Sequence, residues 1–142
     1  MRALLFLVLA GLPSCLTPTE LRPLPDRFVA DLLRMAEEKP LVPGENFRNE
    51  EIRRSPGASL HLVQIRGAIK PHLHRTHAET VCILAGEGVM KIAEEEFPVR
   101  PGFALQVPAG MVHSFRATGE KVCVAFVTYT PPFDGEDRHF VE

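Results

Sequence analysis

The sequence predicts an all-β fold, a barrel or sandwich of short strands, and three observations carry that prediction. From Asn46 onward short runs follow one another at 47–54, 58–66, 69–74, 79–84, 87–93, 96–100, 103–107, 111–117 and 121–130. Pro56-Gly57, Gly86, Pro101-Gly102, Pro108-Ala109-Gly110 and Gly119-Glu120 separate them, and such residues break strands into tight turns. The composition agrees, with 13 prolines, 10 glycines and nine Phe but no Trp in 142 residues. That length suits one domain. A chain 45% hydrophobic and 24% charged is neither disordered nor a coiled coil. A net charge of -2 without a basic stripe excludes nucleic acid as the main partner.

The elements follow in order. Residues 1–14 read as a signal peptide: Arg2 precedes an apolar run from Ala3 to Leu12, too short to cross a bilayer about 30 Å thick. Leu12-Pro13-Ser14-Cys15 resembles the lipobox of bacterial lipoproteins, which implies a lipidated Cys15, export to the cell envelope, and membrane contact only through that anchor. An ordinary cleaved signal, or a cytosolic chain with a misassigned start, are the alternatives. Residues 15–25, with three prolines, read as an extended tether. Residues 26–45 read as a helix and linker: Asp26 as its cap, then Phe28, Val29, Leu32, Leu33 and Ala36 at helical spacing up to Glu38, ended by Lys39-Pro40.

The barrel occupies 46–142. His61, between Leu60 and Leu62, is expected to face solvent on an alternating strand. Cys82 and Cys123 lie in apolar runs and read as buried thiols. An exported chain would permit a disulfide between them if their Cα atoms came within about 7 Å. Glu94-Glu95-Glu96 reads as a solvated hairpin turn rather than a calcium site.

Two segments carry chemistry, from Gly67 to Gly86 and from Gly102 to His113. On a strand, residues two apart share a face, so His72 and His74 point the same way. Glu79 begins the next strand after a short turn, and His113 follows the Pro-Ala-Gly turn. Three imidazole nitrogens and a carboxylate oxygen meeting inside a barrel make a donor set for a divalent transition metal, with iron, manganese, zinc, copper and nickel all admissible.

The two segments resemble the paired motifs of the cupin superfamily. The first reads His-x-His, four residues, Glu79, six residues, Gly86; the second reads Gly102, five residues, Pro108-x-Gly110, two residues, His113. Gly67 lies one residue closer to His72 than is usual, and Ala117 stands where an Asn commonly closes the second motif. The resemblance implies a jelly-roll β-barrel with a metal in its mouth, held by His72, His74, Glu79 and His113. Glu79 is also the ligand able to detach and act as a catalytic base. The site would then bind or transform a small oxygenated molecule, anionic or chelating, by dioxygenase-, decarboxylase- or isomerase-like chemistry. The alternative is a surface-tethered binding or sensor protein without catalysis. The family also implies a homodimer. His77, in the turn between His74 and Glu79, could support the ligands from behind but reads more simply as a solvated loop residue, and His139 as a tail residue with no catalytic part. Leu105, Val107, Phe115, Phe126 and Tyr129 are candidates for the pocket wall, each more simply read as core packing.

Overall fold

Alternating apolar residues produce ten strands: β1 Phe47–Arg54, β2 Ser59–Ile65, β3 Ala68–Leu73, β4 Ala78–Ala85, β5 Gly88–Ile92, β6 Glu95–Val99, β7 Ala104–Val107, β8 His113–Ala117, β9 Cys123–Thr130 and β10 His139–Phe140. The computed structural model describes residues 28–141. The signal segment, Cys15, the tether and Asp26 lie outside the described residues. The strands form two five-stranded antiparallel sheets, ordered β1-β2-β9-β4-β7 and β10-β3-β8-β5-β6. The jelly roll is as expected, and nine of its strands fall within two residues of the predicted runs.

The core lies between the sheets. Val63, Ile65, Val81, Ile83, Met90, Val99, Phe115, Ala125 and Val127 all belong to one buried cluster. β2 is buried along nearly its whole length because both of its faces are covered. Val63 and Ile65 face the interior, while Leu62 joins Ala36 and Val124 in a second cluster beneath the helix. His61 shares the parity of Val63, so it is buried rather than solvated. Its Nδ1 donates to Asn49 Oδ1 and its Nε2 accepts from Ser59 Oγ, both at 2.8 Å.

The helix, α1, spans Leu32–Glu38 and is shorter than predicted. Asp31 caps it, accepting from the Arg34 amide at 3.1 Å, so the chain turns helical only there. Phe28 and Val29 precede it, and Val29 and Leu33 are exposed rather than packed. Glu95 and Glu96 belong to β6; the hairpin turn sits one step earlier, with Ala93 at φ +49°.

Cys82 and Cys123 are free thiols. Cys123 lies in the interior cluster and Cys82 points to the other face of the same sheet, its neighbours Val81 and Ile83 being the inward ones. Burial pushes the Cys123 thiol up to about 11, so it behaves as an apolar core atom.

Candidate metal centre

The fold brings the four predicted donors together. His72 lies near the end of β3, His74 just beyond it, Glu79 near the start of β4 and His113 at the start of β8. The register sets His72 directly across from His113, and Glu79 between Val107 and Tyr129. Gly110 fixes the turn that delivers His113: its amide donates to the His74 carbonyl at 2.6 Å, and its φ of +80° favours glycine. The four ligand atoms lie within 4.8 Å of one another, and all four side chains are buried.

The tautomers follow from the backbone. His72 Nδ1 donates to the Lys70 carbonyl at 2.8 Å and His113 Nδ1 to the Met111 carbonyl at 3.0 Å. His74 Nδ1 donates to the Asp137 carbonyl. With each proton held on Nδ1, each Nε2 turns a lone pair inward. His113 Nε2 stands 2.9 Å from Glu79 Oε2 and His74 Nε2 3.6 Å from it. All three of these atoms are fully covered and lack a hydrogen bond. Buried polar atoms left so cost about 1–3 kcal/mol each. Lone pairs facing one another at this distance are reconciled by a cation between them, so the donors fit a divalent metal.

Glu79 is oriented from behind, since the Tyr129 hydroxyl donates to its Oε1 at 3.2 Å and leaves Oε2 for the centre. Burial raises the Glu79 carboxyl, but the imidazoles of His113 and His74 outweigh it and hold the group well below the usual carboxylate range. His72 is pushed down to about 4, first by burial and then by the neighbouring His113. Burial raises the Tyr129 hydroxyl, so it remains a donor.

The C-terminal segment closes over these groups. Asp137 Oδ1 accepts from the Arg75 amide at 2.8 Å and from His139 Nε2 at 3.0 Å. Its Oδ2 accepts from the Thr76 amide at 2.9 Å, the Thr76 hydroxyl at 2.8 Å and His77 Nδ1 at 2.6 Å. His77 is therefore buried, not a solvated loop residue, and His139 helps to fix the acid. Burial raises the Asp137 carboxyl, yet these donors hold it below its ordinary value. Beneath the segment lies a cavity of about 40 Å³, walled by apolar side chains and reaching His72, Glu79 and His113. Leu105, Phe115 and Tyr129 line it as expected, whereas Val107 is core. Phe126 has the opposite parity to the inward Ala125 and Val127 on β9 and does not line it.

Residues 59–129, half the chain, match the family described as the cupin domain. The chain belongs to the cupin family. An uncharacterized protein of Aquifex aeolicus (strain VF5) is 32% identical over 92 residues, covering 65% of this chain and 75% of that protein. Quercetin 2,3-dioxygenase of Bacillus subtilis (strain 168) is 32% identical over 110 residues, covering 73% of this cupin but 33% of the dioxygenase. The crystal structure of TT1209 from Thermus thermophilus superposes with a TM-score of 0.65 at 27% identity, over 74% of this cupin and 98% of that chain.

Motif spacing leaves three site residues of this cupin unseen: the Asp137 acceptor, the neighbouring Arg138, and Tyr129 as the support of Glu79 rather than simple wall. The one signal for them is the tail from Tyr129 to Asp137, which looks like that of other small cupins without revealing a role.

Proposed function

We propose that this cupin holds one divalent transition metal on His72, His74, Glu79 and His113 and there binds and transforms a small oxygenated molecule, anionic or chelating. The supporting observation is the convergence of buried, unbonded Nε2 and Oε2 atoms on one point. A bound metal would supply Lewis-acid polarisation or, where redox-active, dioxygen chemistry. A relative named as a dioxygenase supports the second possibility, over a third of that protein's length.

The protein's share of the work rests on its own residues. The Nδ1 bonds fix the tautomer and the aim of the imidazoles. Tyr129 keeps Glu79 turned inward, and the apolar wall excludes bulk water. Glu79 could act as a base only with Oε2 released from the metal, because Tyr129 already occupies its Oε1.

Elemental analysis of gently purified protein tests the reading: about one metal per chain is expected, lost in His74→Ala and Glu79→Ala. Wild-type protein free of metal, and refusing it on reconstitution, would overturn it. Tight binding of a chelating molecule without product would favour the sensor reading over the enzyme. On residues outside the described region, we infer export with a lipid on Cys15, which mass spectrometry of the mature N-terminus checks. Family resemblance supports a homodimer, which light scattering would test.

A further inference from the structure

Four buried side-chain polar atoms lack a hydrogen bond among the described residues: His74 Nε2, Glu79 Oε2, His113 Nε2 and Arg138 Nε. Three belong to the metal donors. The fourth lines the same cavity, on the tail that closes over it. We propose that Arg138 is the specificity residue of this centre and receives the carboxylate of a small substrate whose other oxygen reaches the metal. The inference rests on the metal reading above and adds the substrate class to it.

The surroundings of Arg138 support an anion. Its guanidinium lies over the Phe47 ring, 5.1 Å from the centroid, and shares the cavity wall with Tyr129. The ring contact positions a planar cation without neutralising it. Of the acidic side chains nearby, Glu51, Asp134 and Asp137 are engaged elsewhere, and Glu79 is grouped with the metal donors. Glu51 is held by Arg54 at 2.9 Å, and Asp134 accepts from the amides of Glu136 and Asp137 at 2.8 and 2.9 Å. The Asp137 carboxylate already has five donors. Arg138 makes no ion pair among the described residues. It also lines two hollows on the outer surface, so it stands where the cavity opens. A divalent metal with one carboxylate ligand carries a residual positive charge, and Arg138 adds a second. A guanidinium offers a carboxylate two parallel N–H bonds, a match that a neutral amide lacks.

Zinc-loaded full-length protein, titrated by calorimetry with glycolate and with neutral glycolamide, tests this. Wild type should bind glycolate about tenfold or more tightly than glycolamide, the scale of a charge-assisted bond. Arg138→Gln should lose most of that preference, and Arg138→Lys should retain part of it. Zinc content should be the same in all three, since Arg138 is not a donor. A full preference in Arg138→Gln would overturn the assignment and leave the metal's charge as the selector. No preference in zinc-loaded wild type would overturn it as well. Failure of wild type to take up zinc would sink the metal reading itself, an outcome distinct from both.

Discussion

At the scale of single residues, the centre is built by occupying every polar atom that does not face it. Three backbone carbonyls take the Nδ1 protons, and Tyr129 takes Glu79 Oε1. What remains points inward. Such supporting bonds commonly govern metal affinity by about 10–100-fold. Tyr129→Phe should therefore weaken metal binding by about tenfold while leaving the fold intact, as read in a competition titration against a chromogenic chelator. Unchanged affinity would mean that the strands alone orient Glu79. His61 is the contrasting case: both ring nitrogens are satisfied within the protein, and burial lowers its proton affinity, which suits a neutral packing residue.

At the scale of elements, the tail and the hairpins hold this geometry. β10 pairs with the end of β3, setting Phe140 opposite His72 and His139 opposite Leu73. Asp137 ties the same tail to the turn carrying His74 and His77. Asp137→Ala leaves several buried donors unpaired, and stability should drop by about 3 kcal/mol or more. Denaturant melts of metal-free protein would show it; a loss below about 1 kcal/mol would demote Asp137 to a surface clip. Across the barrel, β5 approaches β8 so closely that a Cβ on Gly88 would stand 2.3 Å from the Phe115 ring and 2.6 Å from the Arg116 carbonyl. Gly88→Ala should cost about 2–3 kcal/mol by overpacking, visible as a lowered midpoint with an unchanged slope.

At the scale of the whole molecule, folding is linked to protons and, on the proposed metal reading, to metal. Unfolded histidine takes up a proton near pH 6.5, whereas folded His72 resists until about 4 and buried His61 is lowered too. Between those values the unfolded state binds more protons, so stability falls as pH drops. Metal-free protein should hold its melting temperature above pH 6.5 and lose it progressively toward pH 4, with His72 alone contributing up to about 3 kcal/mol. A flat profile by scanning calorimetry would contradict this. At neutral pH, metal at a hundred times its Kd should add about 2.7 kcal/mol, an effect absent from His74→Ala.

Strand positions and the four donors were readable from residue order, because strand alternation and motif spacing are local and state which side chains share a face. The same local rules could not foresee that His61 and His77 are buried. Nor could they foresee that Phe126 leaves the wall, that the helix starts at Leu32, or that Asp137 and Arg138 cover the centre. Those outcomes depend on what packs over a face, such as a helix on the back of β2 or a tail brought onto a turn 60 residues earlier. Alternation assigns a side chain to a side of the sheet. Whether that side meets water, protein or a metal is decided when distant segments close around it.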